Sequence, residues 1–257
     1  MSLSWTWMFL VLPILAISAA ALTHERREVT ATAEPIITPV ECPHHNPEVQ
    51  DGTLVAQLWR QNCDLVTKFL NNAFTAAQAA QTSKGTLESL QYYFIQDYYY
   101  LTLTVPHKAY LLKSLDPDES AADQTSAINE TVLDMTSDLE YASHFRQDLT
   151  SPNHLNVSST VVKNAKLEPV LRQYVDWLGE NTKLGWYLFS VSRVPCIYGW
   201  AEIAYQLNQS SSTVRVELQE VLSANNNTET FAVANGLFRQ ALEFETAFFE
   251  SAVGKVL

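Results

Sequence analysis

From Leu54 onward the apolar positions recur at the spacing of one helix face. Leu54/Val55, Leu58/Trp59, Cys63, Val66, Phe69/Leu70 and Ala73/Phe74 follow one another every three or four residues. This pattern predicts a first helix from Leu54 that ends before Lys84-Gly85. A second is expected from about Leu87 to Leu115, stopping at Asp116-Pro-Asp. Pro106 is expected to break or kink it, because proline has no N–H and its ring clashes with the preceding turn. Further helices are expected over Ser120 to Leu149, Val161 to Leu178 and Lys183 to Leu207, the last with Pro195 inside it, and then over Ser212 to Ser223 and Thr228 to Val253. No segment alternates apolar and polar residues between turn signals, so the fold class is all-α, a bundle of about seven helices.

Upstream of Leu54 the pattern changes twice. Trp5 to Leu22 carry no charge and the run ends in Ala19-Ala20-Ala21, which predicts a signal peptide over residues 1–21 and entry into the secretory pathway. The alternative is a membrane anchor formed by residues 5–22, favoured by Arg26-Arg27 after the run and by an n-region without Lys or Arg. Residues 22–51 hold Pro35, Pro39, Pro43 and His44-His45-Asn46-Pro47 and read as a Pro-rich linker or tail, leaving 52–257 as one helical domain. Four sequons begin at Asn129, Asn156, Asn208 and Asn226, which fits a glycoprotein. Of the three cysteines, Cys42 and Cys63 could form a disulfide that leaves Cys196 free, or all three could be thiols.

Charge narrows the classes of function. The formal net charge is −12 and there is no basic cluster interleaved with aromatics, so nucleic acid is excluded as a partner. None of the seven glycines builds a phosphate loop or a G-x-S-x-G elbow, which removes the usual nucleotide-binding and serine-hydrolase motifs.

Three ionisable residues interrupt apolar stripes. Asp97 shares a helix face with Tyr93, Phe94, Tyr100 and Leu101. Glu245 lies between Ala241/Leu242 and Phe248/Phe249, where burial raises a carboxyl's pKa toward neutrality and suits it to general acid work. Cys196 follows Pro195, and a helix restarting there would place the thiol at an N-terminus whose dipole favours thiolate. Each residue singly reads as packing or as a satisfied structural bond; the three together point to a site inside a helical bundle.

The segment Gly85-Thr-Leu-Glu-Ser-Leu-Gln-Tyr-Tyr-Phe-Ile-Gln-Asp-Tyr-Tyr-Tyr-Leu101 resembles the signature of the TenA/thiaminase II family, and Tyr93 to Leu101 carry its core. Glu140-Tyr-Ala-Ser-His144, Tyr174-Val-Asp-Trp-Leu178, Val194-Pro195-Cys196-Ile-Tyr-Gly-Trp200-Ala-Glu202-Ile and Phe244-Glu245-Thr-Ala-Phe248-Phe249-Glu-Ser-Ala252 resemble further motifs of that family in order. The resemblance implies a heme-oxygenase-like bundle, a homo-oligomer (commonly a tetramer), that hydrolyses thiamin or its amino-pyrimidine breakdown products without metal or organic cofactor. It implies Cys196 as nucleophile, Glu245 as acid/base and Asp97 as the group that bonds the pyrimidine and helps activate the thiol. Tyr100, Tyr174, Trp200 and Phe248 would line the pocket.

Two departures stand out. Trp200 occupies a position where the family has tyrosine, and the stretch between Cys196 and Glu245 is shorter by about one helix and lacks a Y-x-x-W pattern. Two other readings follow. A haem enzyme of this fold needs a proximal histidine on the first helix, and residues 54–80 contain none. A di-iron site would have to use Glu140, His144, Glu202 and Glu245. The alternative from another class is a secreted, non-catalytic pyrimidine-binding protein.

Overall fold

Asparagine punctuates the first apolar stretch. The computed structural model, which describes residues 42–43, 52–80, 84–206 and 228–257, divides the expected first helix into α1 (Leu54–Gln61), α2 (Cys63–Leu70) and α3 (Ala73–Ala80). The Asn62 carboxamide donates to the Leu58 carbonyl and to the Asn235 side chain, both at 2.8 Å. Asn72 Oδ1 accepts from the Thr75 N–H at 3.0 Å. Such side chains offer the backbone partners that compete with a continuous helix.

Proline acts differently at each of its helical positions. α4 (Lys84–Leu111) runs through Pro106 and gives way to a 3₁₀ turn at Leu112–Ser114. Pro106 is exposed, so water can serve the carbonyl that the ring leaves without a donor. α5 (Ala121–Thr150) starts after Ser120, whose hydroxyl accepts from the Asp123 N–H at 3.2 Å. The single helix expected over Val161 to Leu178 is two, α6 (Ser159–Asn164) and α7 (Pro169–Asn181). Pro169 stands in the first turn of α7, where a missing N–H costs nothing. α8 (Gly185–Gln206) passes through buried Pro195 without ending, and α9 is Thr228–Ser251. With α1–α3 taken as one interrupted stretch there are seven helices and no strand among the described residues, as an all-α bundle requires.

The expected signal peptide, His44-His45, the helix at Ser212 to Ser223 and the sequons at Asn208 and Asn226 lie outside the described residues. No described helix is long and apolar enough to cross a membrane. Of the linker, Pro43 accepts a hydrogen bond from the Trp59 indole at 2.9 Å, which lays this piece against α1. Cys42 and Cys63 are free thiols beside one another, and burial followed by the contact with Cys63 pushes the Cys42 thiol up.

α9 packs against α8, α7 and α2, and α4 against α5 and α7. Leu58, Val66, Phe69, Tyr93, Tyr174, Phe238, Leu242 and Phe249 fill the space between them. A Cβ at Gly199 on α8 would meet the Phe69 ring at 2.6 Å, so only glycine lets α2 and α8 approach this closely.

α4 and α5 are joined by charge as well as by packing. Lys108 Nζ, with 1% of its side chain exposed, lies 2.6 Å from Asp134 and 2.7 Å from Asp138, contacts that are close in distance although their angles fall short of good hydrogen bonds. Burial, and then the charge of Arg193, pull the ammonium below its ordinary pKa, while the two carboxylates oppose this. Removing only the cation leaves two buried like charges together, which costs more than exchanging the whole cluster for neutral groups. Lys108→Met is therefore expected to lose about 3 to 5 kcal/mol in urea denaturation, and Lys108→Met combined with Asp134→Asn and Asp138→Asn to recover most of it. A single variant that loses under about 1 kcal/mol would show the cluster to be solvated.

Candidate functional site

Tyr93, Asp97 and Tyr100 stand one turn apart on a single face of α4, and Arg193, Cys196 and Trp200 stand likewise on α8. α7 adds Tyr174, and α9 adds Glu245, Phe248 and Phe249. The structure brings Asp97, Cys196 and Glu245 within each other's electrostatic reach: Asp97 and Glu245 both act on the Cys196 thiol, and Asp97 acts on Glu245. Asp97 and Cys196 lie deep in the fold yet keep part of their surface accessible, so they border open space rather than packed core. Glu245 is 1% exposed and feels both of them.

Aromatic rings enclose this cluster. Tyr100 and Tyr174 pack at 5.3 Å, and Tyr174 stacks on Phe244 at 5.0 Å. Trp200 lies 5.6 Å from Tyr93 and 5.2 Å from Phe249, so the indole presents a π-face at the site. Phe248 is buried against Tyr93 at 4.7 Å, forming the wall behind that ring. The Tyr174 hydroxyl faces Glu245 and the Tyr100 hydroxyl faces Cys196, near enough to alter their proton affinities. Neither pair meets strict hydrogen-bond geometry, so both hydroxyls are better regarded as neighbours of the acids than as fixed partners.

Burial dominates the electrostatics. It pushes Asp97 from 3.8 up to about 7. It also pushes Glu245 from 4.5 up to about 8, with Tyr174 and Cys196 opposing and Asp97 adding to the rise. Cys196 is driven well above the usual thiol range by burial first and then by Glu245 and Asp97, against smaller opposite effects of Tyr100 and Arg193. The expectation of a thiolate at a helix N-terminus is overturned. α8 does not restart at Pro195, so no helix dipole begins at Cys196, and the resting thiol is neutral.

Three participants carried weak signals in the sequence. Tyr93 feels Asp97, Glu245 and Cys196, and Tyr141 on α5 feels Asp97 and Cys196. Tyr93 precedes Asp97 by one helical turn, but Tyr141 reaches the site from another helix, which periodicity along one element cannot reveal. Arg193 precedes Cys196 by three residues and acts on both Cys196 and Tyr100. Glu140 and His144 are exposed on α5, away from the buried Glu202 and Glu245, so the carboxylates and histidine of a di-iron reading are not gathered. No group of three or more His, Cys, Asp or Glu stands at metal-holding distances among the described residues. Glu202 instead accepts from the Tyr198 hydroxyl, which abuts Trp59 at 4.7 Å.

Residues 79–220 match the family described as TENA/THI-4/PQQC. No curated protein matches the chain in sequence. Among solved structures, a TenA homologue from P. horikoshii OT3 aligns with a TM-score of 0.59 at 16% identity, over 79% of this chain and 100% of that one. A TenA-like thiaminase from Sulfolobus solfataricus aligns with a TM-score of 0.54 at 17% identity, over 81% and 98%. A protein described as a TenA family transcription regulator from Silicibacter sp. TM1040 aligns at 0.51 and 14%, over 79% and 97%. At these identities the three structures establish a common fold.

The two raised carboxyls set a pH dependence of stability. Between their unfolded values near 4 and their folded values of about 7 and about 8, the folded chain holds protons that the unfolded chain has released. Their contribution is complete below about pH 4 and is lost as pH rises through the folded values. The melting temperature of the wild-type protein is expected to fall more steeply between about pH 5 and 8.5 than that of an Asp97→Asn/Glu245→Gln variant, measured by thermal melts in matched buffers. Parallel curves would refute the buried, protonated state of the pair.

Proposed function

The chain belongs to the TENA/THI-4/PQQC family, and on that premise we propose that it hydrolyses thiamin or its amino-pyrimidine breakdown products, with Cys196 as nucleophile and Glu245 as acid/base. The observation that carries this reading is the convergence of a thiol and two proton-holding carboxyls inside an aromatic box. An electron-rich pyrimidine resists attack by water. A thiol can add to a ring carbon if a ring nitrogen takes up a proton at the same time. In the proposed sequence Glu245 gives its proton to the ring nitrogen and receives the proton of Cys196, so that S–H adds across a ring C=N bond. The leaving group departs with its bonding pair, water takes its place and gives up a proton to that group or to solvent, and elimination of the thiol together with the ring N–H proton restores the ring. Asp97 bonds the amino-pyrimidine and holds it in line, while Tyr100, Tyr174 and Trp200 supply stacking faces.

The values of about 7 and about 8 for Asp97 and Glu245 support this, because an acid/base works best with a pKa near the working pH. A neutral thiol at rest fits as well, since its proton has an acceptor only once Glu245 has discharged into a bound ring. The same neutral thiol favours a second reading, a pyrimidine-binding protein without turnover, because nothing ionises Cys196 before a ligand arrives. Export through the secretory pathway and self-association belong to the proposal too, with Asn129 and Asn156 both exposed as glycan acceptors.

Turnover of an amino-pyrimidine by the purified chain separates the two readings. Cys196→Ser is expected to lower kcat by about a thousandfold or more while pyrimidine binding by calorimetry stays within a few-fold. Glu245→Gln should be similarly slow and should abolish the fall in rate above about pH 8 that loss of the Glu245 proton causes in the wild type. Unimpaired turnover in Cys196→Ser would end the nucleophile assignment; binding without turnover in the wild type would establish the second reading.

A further inference from the structure

The mechanism above uses no positive charge, yet the structure places one beside the thiol. Arg193 precedes Cys196 by three residues on α8, so the two side chains leave the same face of the helix. Its guanidinium sits 5.7 Å over the Phe189 ring, one turn earlier. From there its charge reaches Cys196 and the Tyr100 hydroxyl.

Among the described residues nothing fills this guanidinium. A guanidinium carries five N–H donors in a planar fork. Among the described residues none accepts a hydrogen bond from Arg193 and no carboxylate lies within ion-pair distance of it, and its Nε is buried without a partner. The nearest acidic residues, Asp134 and Asp138, are engaged at 2.6 and 2.7 Å by Lys108. Their field keeps Arg193 charged from a distance without occupying its donors. His107, also near Arg193, presents a buried Nδ1 without a partner, and an imidazole, neutral or cationic, brings no negative charge either; burial, then the charge of Arg193, lower its pKa. Meanwhile Asp97 and Glu245, the carboxyls that could have neutralised the arginine, are protonated near neutrality. A guanidinium whose Nε is buried without an acceptor, and whose other donors meet none among the described residues, is costly unless a ligand completes it.

We propose that Arg193 is a specificity residue of the same pocket, a corner that takes a carboxylate substituent of the amino-pyrimidine in bidentate fashion while the ring lies against Asp97 and Glu245. This rests on the amino-pyrimidine reading and adds to it the class of substituent. A monoanion fits better than a phosphate dianion. One free guanidinium meets one negative charge, and Asp134 and Asp138 stand beyond it. Carboxylate and guanidinium also match in planarity, which gives two parallel N–H···O bonds.

The test is calorimetric titration of the ligand-free full chain with a matched set: 4-amino-2-methylpyrimidine-5-carboxylate, its carboxamide and the corresponding phosphonate. The wild type is expected to bind the carboxylate about tenfold or more tighter than the carboxamide. Arg193→Met should bring that ratio to about one while leaving carboxamide affinity within about threefold, and Arg193→Lys should keep part of it, since charge remains and the fork is lost. If Arg193→Met does not fold, the wild-type ratio and Arg193→Lys still decide. Equal affinities for carboxylate and carboxamide in the wild type, or equal losses of both in Arg193→Met, overturn the proposal and leave the pyrimidine reading standing. A tighter phosphonate overturns the choice of carboxylate. Binding of none of the three removes the pyrimidine reading and this inference with it.

Discussion

Desolvation without a counter-charge governs the centre of this molecule. α4, α8 and α9 each turn one acidic side chain inward, and among the described residues none of the three has an ion-pair partner, the charge of Arg193 only partly opposing the rise at Cys196. An acid placed there keeps its proton, because the charged form has lost its water and gained nothing in return. Each protonated group then spares its neighbours the repulsion that ionisation would bring, so Asp97, Glu245 and Cys196 coexist within one small volume. The aromatic walls sustain this state. Tyr93, Tyr100 and Tyr174 exclude water while offering hydroxyls that can turn toward whichever acid ionises.

Much of the fold was legible because apolar residues recur at helical spacing, and the bounds of α4, α5, α8 and α9 lie within a few residues of those expected. The interruptions were not. Asn62 and Asn72 look like ordinary polar positions on a helix, and only their side-chain bonds to nearby backbone show that they end one. Pro106 and Pro195 lie inside the helices expected to contain them and end neither, so no helix restarts at Cys196, whereas Pro169, which attracted no notice, marks the start of α7.

In the site, Asp97, Glu245 and Cys196 stood out as polar residues on apolar stripes, a contrast the sequence exposes directly. The ionisation of Cys196 did not follow from sequence, since it depends on whether the helix is continuous and on which acids face it from other elements. Arg193 escaped notice for a related reason. A long basic side chain among Val191, Ser192 and Val194 ordinarily carries its charge outward to water, and the groups that feel its charge, Tyr100 and Asp138 among them, stand on other elements.

A thiol kept protonated is also kept from reacting with anything but the right partner. Peroxides and small disulfides attack the thiolate, and their rates follow the fraction ionised as well as access. Cys196 is partly accessible but offers little thiolate. The feature that delays its chemistry therefore also gives it a long shelf life, since a side chain that is inert between encounters can persist where a permanently activated cysteine would be oxidised to sulfenic acid and beyond.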